Sequence, residues 1–176
     1  QGRPASIWYK MIVQGDADTV GDDRDLIRIF GDNCHILNMT LCAFDTVGDP
    51  DPSGLTGGNN AITFDTITGG IQGGEVGYCY FPPPNHKPLQ MHSHGTTKIA
   101  KNLWFHHNIF DHPQRHGIDA WIENGIIEDN IFISHAPGDI QGGIEGGAIQ
   151  LLGTGAASAK GTVVRRNTFH FSATGV

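Results

Sequence analysis

The sequence predicts an all-β fold, a right-handed parallel β-helix in which the chain winds into a solenoid of about five coils. Two observations lead to this prediction: a turn-rich composition and a motif that recurs along the chain. The 176 residues include 25 glycines and nine prolines, and only 16% are charged. Such a composition is typical of β proteins with many turns. The length favours a single domain, residues 1–176.

The recurring motif consists of two apolar residues, two polar residues, Asn, any residue and Phe. It occurs at residues 104–110, 126–132 and 163–169. A β-sandwich of short strands does not account for a motif of fixed internal spacing, whereas a solenoid does. We interpret the motif as a strand, a tight turn and a second strand, with the Asn in the left-handed conformation that its short amide tolerates. Asn108, Asn130 and Asn167 are then expected to stack as a hydrogen-bonded ladder.

A short stretch of alternating apolar and polar residues precedes each motif and predicts a further strand in each coil. The apolar position before the turn recurs at 36, 76, 105, 127 and 164, with a shortest interval of 22 residues and longer intervals that carry Gly- and Asp-rich insertions. The predicted coils are 25–58, 59–86, 87–114, 115–145 and 146–176. Solenoids need polar capping repeats, which neither end shows, so we expect a fragment of a longer chain.

Charge and cysteine content exclude several classes of function. A net charge of −7 argues against nucleic-acid binding, which needs clustered Lys and Arg. No apolar run reaches the roughly 18 residues that a membrane helix needs. Three cysteines without a CxxC pair predict neither a disulfide framework nor a zinc motif. We therefore expect no nucleic-acid partner, no membrane partner and no organic cofactor.

Alternation places a row of polar side chains on the outer face of one sheet. If Ile27 and its equivalents point into the core, the next residue of each strand points outward. Asp65 and Asp119, two coils apart, would lie about 10 Å from each other, near the upper limit for the carboxylates of an inverting glycosidase. Trp121 would offer an apolar surface to a sugar ring. The alternative is that this face is only solvated. The predicted substrate-binding residues are Arg28, Asp65, Gln90, Trp121 and Gln150.

The predicted catalytic residues lie close together in the sequence. Arg115, His116 and Asp119 fall within a few residues of one another, and His92 lies one coil earlier. Arg beside a carboxylate is the combination that holds a uronate and removes a proton next to it.

No metal-binding residues are predicted, because the spacing of the histidines does not define a ligand set. His92 and His94 share a strand face, but His106 and His107 are expected to point to opposite sides and offer no second pair. Two Asp-rich loops, residues 16–25 and 45–51, carry the oxygen ligands that Ca²⁺ prefers, without the spacing of an EF-hand. Calcium is therefore the one cofactor that the sequence suggests.

Residues 25–171 resemble the pectate lyase-like superfamily of right-handed β-helices, which includes polysaccharide lyases, polygalacturonases, alginate epimerases and phage tailspikes. Residues 105–110 read FHHNIF and are followed by Arg115. They are similar to the pectate lyase segment in which HHNxF precedes an Arg that serves as the Brønsted base. The family continues Arg-x-Pro, whereas Arg115 is followed by His116 and Gly117. The family's calcium-binding Asp is missing near residues 75–78.

This resemblance implies a secreted or extracellular carbohydrate-active protein. The expected activity is that of a polysaccharide lyase, which cuts a uronate-containing polysaccharide by β-elimination, with hydrolase or epimerase activity as further options. The expected partners are a polysaccharide substrate or surface glycan, further coils of the same chain, or other copies in a homo-oligomer. The alternative is a non-catalytic β-helix, such as a fibre, a tailspike or an adhesin.

Overall fold

The computed structural model describes residues 7–9, 12–16, 25–44, 60–66, 69–83, 87–92, 98–113, 116–134, 147–152 and 159–171. These residues form strands and turns, with no helix. In chain order the strands are β1 (Ile7–Tyr9), β2 (Ile12–Asp16), β3 (Asp25–Ile29), β4 (Cys34–Leu37), β5 (Thr40–Phe44), β6 (Asn60–Asp65), β7 (Ile71–Gly77), β8 (Tyr80–Phe81), β9 (Lys87–His92), β10 (Ala100–His106), β11 (Ile109–Asp111), β12 (His116–Ala120), β13 (Ile122–Glu123), β14 (Ile126–Glu128), β15 (Ile131–Ser134), β16 (Gly147–Leu151), β17 (Val163–Arg165) and β18 (Thr168–Phe171).

The strands form three parallel sheets. The seven-stranded sheet has the order β1-β4-β7-β10-β14-β17, with β13 also beside β10; the six-stranded sheet has the order β2-β5-β8-β11-β15-β18, and the five-stranded sheet β3-β6-β9-β12-β16. From β3 onward the chain passes in turn through the five-, seven- and six-stranded sheets. We call these groups repeats 1 to 5, and each predicted coil range contains one of them. The all-β prediction is confirmed, and the parallel sheets are consistent with a parallel β-helix.

The core is built from side chains that occupy equivalent positions in successive repeats. In the five-stranded sheet the register aligns Ile27, Ile62, Leu89, Ile118 and Ile149, which are the core positions that alternation predicts. The central three of these side chains are fully buried. Each such side chain contributes about 1.5–3 kcal/mol on leaving water.

A column of phenylalanine rings continues this core on the inner face of the six-stranded sheet. The rings of Phe81, Phe110, Phe132 and Phe169 are stacked with centroids 4.9, 4.8 and 5.2 Å apart. The predicted column of the last three rings is therefore confirmed, and Phe81 extends it into repeat 2. Phe132 is 1% exposed, whereas Phe169, in repeat 5, is 43% exposed.

The predicted asparagine ladder is also confirmed. The amide oxygen of Asn130 accepts hydrogen bonds from the backbone N–H and the side-chain amide of Asn108, and Asn167 receives the same pair of bonds from Asn130. The second amide hydrogen of each Asn binds a carbonyl oxygen of the preceding repeat, such as that of Val76. Asn108 and Asn130 are fully buried, so satisfying both ends of each amide avoids a large desolvation cost.

The predicted conformation of these asparagines is wrong by one residue. Left-handed backbone occurs at the preceding position, in His107 (φ 53°), Asp129 (φ 55°) and Arg166 (φ 54°). Tyr78 and Asn38 take the same conformation in repeats 2 and 1. The chain bends between the seven- and six-stranded sheets at this residue, and the bend turns the following Asn inward, where its amide enters the ladder.

Replacing Phe132 by Ala is expected to lower the free energy of unfolding by about 3–5 kcal/mol, because the cavity lies between two stacked rings. Phe169→Ala is the matched control: the same ring is lost from the same column at a position that is 43% exposed, so the loss should be less than half as large. Urea denaturation of both variants measures the difference. Equal losses, or a loss below about 1 kcal/mol for Phe132→Ala, would contradict the buried column.

Candidate functional site

Two acidic residues of the predicted site lie on the five-stranded sheet, but they do not face solvent. Asp65 is 0% and Asp119 4% exposed, since both faces of β6 and β12 are buried. Arg28 lies 2.5 Å from the carboxylate of Asp65, and Lys87 lies 2.8 Å from that of Asp119. The expectation of a solvent-facing carboxylate stripe is therefore wrong. Each carboxylate is paired with a cation on the adjacent strand of the preceding repeat.

A partly buried hydrogen-bond network uses other residues of this stripe. The amide of Asn60 donates to Asp25 at 2.9 Å and to the side-chain oxygen of Gln90 at 2.6 Å, and the hydroxyl of Thr63 also donates to Asp25. Arg28 contacts Asp25 at 3.4 Å in addition to Asp65. Gln90 and Arg28, both predicted to bind substrate, thus hold neighbouring strands together.

Of the remaining predicted site residues, the structure describes some and not others. His116 is 4% exposed, and Trp121 and Gln150 are partly buried. The backbone of His92 pairs in register with Asp65, but its side chain lies outside the described part of the structure, as does all of Arg115. Convergence of Arg115, His92 and Asp119 on one groove thus stays a prediction. His94, residues 17–24 of the first predicted calcium loop and all of the second, residues 45–51, also lie outside the described residues. Within the described ranges, no three His, Cys, Asp or Glu side chains are arranged to hold a metal ion.

Replacing Lys87 by Met tests the ion pair of Asp119. The second carboxylate oxygen of Asp119 has no hydrogen-bond partner among the described residues, so the variant leaves a buried charge uncompensated. We expect a loss of about 3–5 kcal/mol in the free energy of unfolding, measured by urea denaturation.

Lys101→Met is the control for this substitution. Lys101 lies 2.6 Å from Glu123, but both side chains of that pair are more exposed, at 37% and 22%. Loss of an exposed pair should change stability little. If the two variants unfold at the same urea concentration, Asp119 is not the buried charge that the structure indicates.

A second group of functional side chains lies on the outer face of the seven-stranded sheet. The register aligns His35, Glu75 and Trp104 in one outward row across β4, β7 and β10. In the next outward row it aligns Gly77 with His106. Side chains of the same face in adjacent strands are in contact, so these two rows form one continuous surface.

Three imidazoles and one carboxylate of this surface form a chain of hydrogen bonds, which we call the relay: His35, Glu75, His106 and His107. The two oxygens of Glu75 lie 2.7 Å from Nδ1 of His35 and 2.7 Å from Nε2 of His106. Nδ1 of His106 lies 2.9 Å from Nδ1 of His107. Burial raises the pKa of Glu75, but the hydrogen bonds from His106 and His35 outweigh this effect and bring the pKa below its usual value.

The relay corrects the expectation that His106 and His107 point to opposite sides. Strict alternation holds only within a strand, and β10 ends at His106. His107 occupies the left-handed bend, which returns its ring to the side of His106. The two rings are therefore hydrogen-bonded to each other instead of lying on opposite faces of the sheet.

His106 is enclosed by its neighbours although it lies on the outer face. A Cβ atom at Gly77 would come within 2.6 Å of the His106 ring, so only glycine leaves room for the imidazole. The indole of Trp104 stacks on this ring at 3.8 Å between centroids, and Tyr78 meets it edge-on at 5.2 Å. His106 is consequently 1% exposed.

Beyond Trp104, the surface continues as a cluster of ion pairs. The indole N–H of Trp104 donates to Glu128 at 2.9 Å. Arg165 and Arg166 donate to the other oxygen of Glu128, and Arg166 also makes two bonds to Asp129. The bond from Arg165 lowers the pKa of Glu128, and the bonds from Arg166 lower that of Asp129.

Several of these side chains remain accessible to a ligand. Tyr78 is 54% and Trp104 39% exposed, and the side chains of Arg165 and Arg166 are 51% and 55% exposed. The ring of Tyr78 stacks on the ring of His107, which is itself exposed, at 4.8 Å. We call this surface the outer patch: Tyr78, Trp104, His107, Arg165 and Arg166.

The outer patch was not predicted from the sequence, because most of its residues lie within the repeating motif and their grouping depends on which strands are adjacent. The signal was present in the alignment of the repeats. The bend position holds Asn38, Tyr78, His107, Asp129 and Arg166 in repeats 1 to 5, so an aromatic ring, an imidazole and opposite charges follow one another along the stack.

No protein-family model matches the sequence, and comparisons with curated proteins and with solved structures give no match. The described residues contain no helix that could cross a membrane. The resemblance to pectate lyase-like proteins therefore rests on the motifs quoted above, and the roles of individual residues rest on geometry.

Proposed function

We propose that the chain is a right-handed parallel β-helix. Support comes from the recurring strand order, in which each repeat contributes one strand to each of three parallel sheets. Connections between parallel strands of one sheet are right-handed in roughly 98% of known cases. The asparagine ladder and the phenylalanine column, which recur at one position per repeat, are contacts between neighbouring repeats, as the stacking of repeats in a solenoid predicts.

We further propose that this protein binds a uronate-containing polysaccharide on the outer patch and cleaves it by β-elimination. The observation that carries the proposal is the grouping of exposed aromatic rings, exposed guanidinium groups and an exposed imidazole on one sheet face. Aromatic rings stack on the apolar faces of sugar rings, and Arg binds carboxylates in a fixed planar geometry. β-Elimination needs a base beside the bound uronate, which the imidazole of His107 can supply.

The dimensions of the outer patch suit an extended polymer. Its bend-position residues Tyr78, His107 and Arg166 lie in repeats 2, 3 and 5, three strand spacings from first to last, so they span about 14 Å along the stack at about 4.8 Å per strand. This length is that of a few sugar rings in a chain. A polysaccharide is too large to enter a cell intact, so an extracellular location belongs to the same proposal.

Non-catalytic glycan binding is the second candidate function. It is favoured by the ion pairs of the outer patch, because Arg165 and Arg166 already bind Glu128 and Asp129. Guanidinium groups held in this way are rigid and suit a fixed binding surface. A tailspike or adhesin would need no more than this.

A substrate panel distinguishes these functions. Pectate, alginate blocks rich in mannuronate or guluronate, and glucuronate-containing glycosaminoglycans are incubated with the protein, and unsaturated products are followed by ultraviolet absorbance. Binding is measured in parallel by calorimetry. A lyase produces absorbance on at least one polymer, and a pure binder produces heat without absorbance. Neither signal on any polymer would exclude both functions.

Trp104→Ala locates the binding site. Loss of the stacking ring should weaken binding of the active polymer about tenfold, or ~1.4 kcal/mol. Tyr80→Ala is the control, because Tyr80 is 37% exposed but lies on the six-stranded sheet. Equal affinity of both variants for the polymer would place the site elsewhere.

A further inference from the structure

We propose that His107 is the catalytic residue that removes the C5 proton of the bound uronate and returns it to the leaving oxygen, and that Glu75 and His106 are positioning residues that hold His107 in the required tautomer. This inference rests on the proposed lyase function. It adds the identity of the base and the stereochemical class of uronate that the protein accepts.

Hydrogen bonding determines the tautomers from Glu75 outward. An ionised carboxylate only accepts hydrogen bonds, so Nε2 of His106 carries a proton and donates it to Glu75. A neutral His106 then has its lone pair on Nδ1. The contact of 2.9 Å between the Nδ1 atoms of the two rings therefore requires that His107 donates.

A neutral His107 that donates through Nδ1 has its lone pair on Nε2. No described residue hydrogen-bonds Nε2, and the ring belongs to an exposed residue. The ring orientation is fixed by stacking on Tyr78 at 4.8 Å with 21° between the planes. His107 thus presents a preorganised proton acceptor to the surface.

The surroundings of His107 suit the positive charge that its ring gains when Nε2 accepts the C5 proton. Its relay leads through His106 to the carboxylate of Glu75, which is shared with His35. In the next repeat, Asp129 occupies the same bend position and interacts electrostatically with His107. Other charged groups facing this region are Glu128, Arg165 and Arg166, which pair with one another and with Asp129.

The reaction balances with this single group. Nε2 of His107 takes the C5 proton, the electron pair of the C5–H bond forms the C4–C5 double bond, and the bond between C4 and the glycosidic oxygen breaks. The imidazolium then returns its proton to that oxygen, so no other acid is consumed. One imidazole reaches both positions only if the C5 proton and the C4 oxygen lie on the same side of the sugar ring.

This requirement selects the substrate class. The two groups lie on the same side in glucuronate and mannuronate, and on opposite sides in galacturonate and guluronate. We therefore expect cleavage of mannuronate- or glucuronate-containing polymers, and little cleavage of polygalacturonate or polyguluronate, although all four carry the same carboxylate.

The test compares His107→Asn with His112→Asn. Asn holds the same bend in repeat 1, at Asn38 with φ 56°, so the first variant keeps the backbone and loses the imidazole. His112 also has a left-handed backbone, with φ 50°, but it follows β11 of the six-stranded sheet and contacts Asp111 at the end of that strand. We expect kcat to fall about a hundredfold or more in His107→Asn with polymer affinity retained, partial recovery on addition of free imidazole, and no change in His112→Asn. Cleavage within threefold of the native rate in His107→Asn, or preferred cleavage of polygalacturonate, would overturn the proposal.

Glu75→Gln tests the positioning role. Gln keeps an acceptor oxygen for His106 but removes the charge that stabilises the imidazolium, so kcat should fall while KM stays the same. Nitrogen-15 NMR of the histidine rings, which needs no substrate, should show an unprotonated Nε2 in His107 of the native protein. A protonated Nε2 at neutral pH would overturn the relay even in an active lyase. A protein with the expected tautomer that cleaves no polymer would instead refute the proposed function.

Discussion

The arrangement of this chain depends on the hydrogen-bonded ladder of Asn108, Asn130 and Asn167. Each amide binds a backbone carbonyl of the preceding repeat, and the amides of Asn108 and Asn130 also bind the next Asn, so a slip of one residue would leave several buried polar groups unsatisfied. The ladder therefore sets the register of two sheets at once. With that register, the phenylalanine rings of the six-stranded sheet stack inside. The residues before each Asn form a second column on the outside.

The left-handed bend that precedes each Asn of the ladder also brings the side chains of the outer patch together. A strand alone would separate neighbouring side chains onto opposite faces. The left-handed residue interrupts this alternation, so His107 reaches the ring of His106, and that ring fits only because Gly77 has no side chain. A backbone requirement of the repeat thus places an accessible imidazole at the end of a chain of hydrogen bonds that starts at the carboxylate of Glu75.

Much of the fold could be predicted from the sequence, because the spacing of apolar residues and Asn is a local property that recurs. The core positions, the ladder and the phenylalanine column follow from it. The site could not, for two physical reasons. Polar residues at alternating positions give the same sequence pattern whether their side chains are solvated or buried and paired. The side chains of Asp65 and Asp119 are buried and paired. The identity of the bend residue depends on where the chain turns, and a shift by one residue redirected His107.

In the proposed function, a uronate polymer lies on the outer patch with its reacting carbon at His107. A crystal structure of the protein with a mannuronate or glucuronate oligosaccharide tests it most directly. The account predicts a sugar ring against Trp104 and the C5 atom of a uronate about 3–3.5 Å from Nε2 of His107, the separation of reacting atoms before a proton transfer. An oligosaccharide bound along the five-stranded sheet, with the outer patch empty, would contradict it.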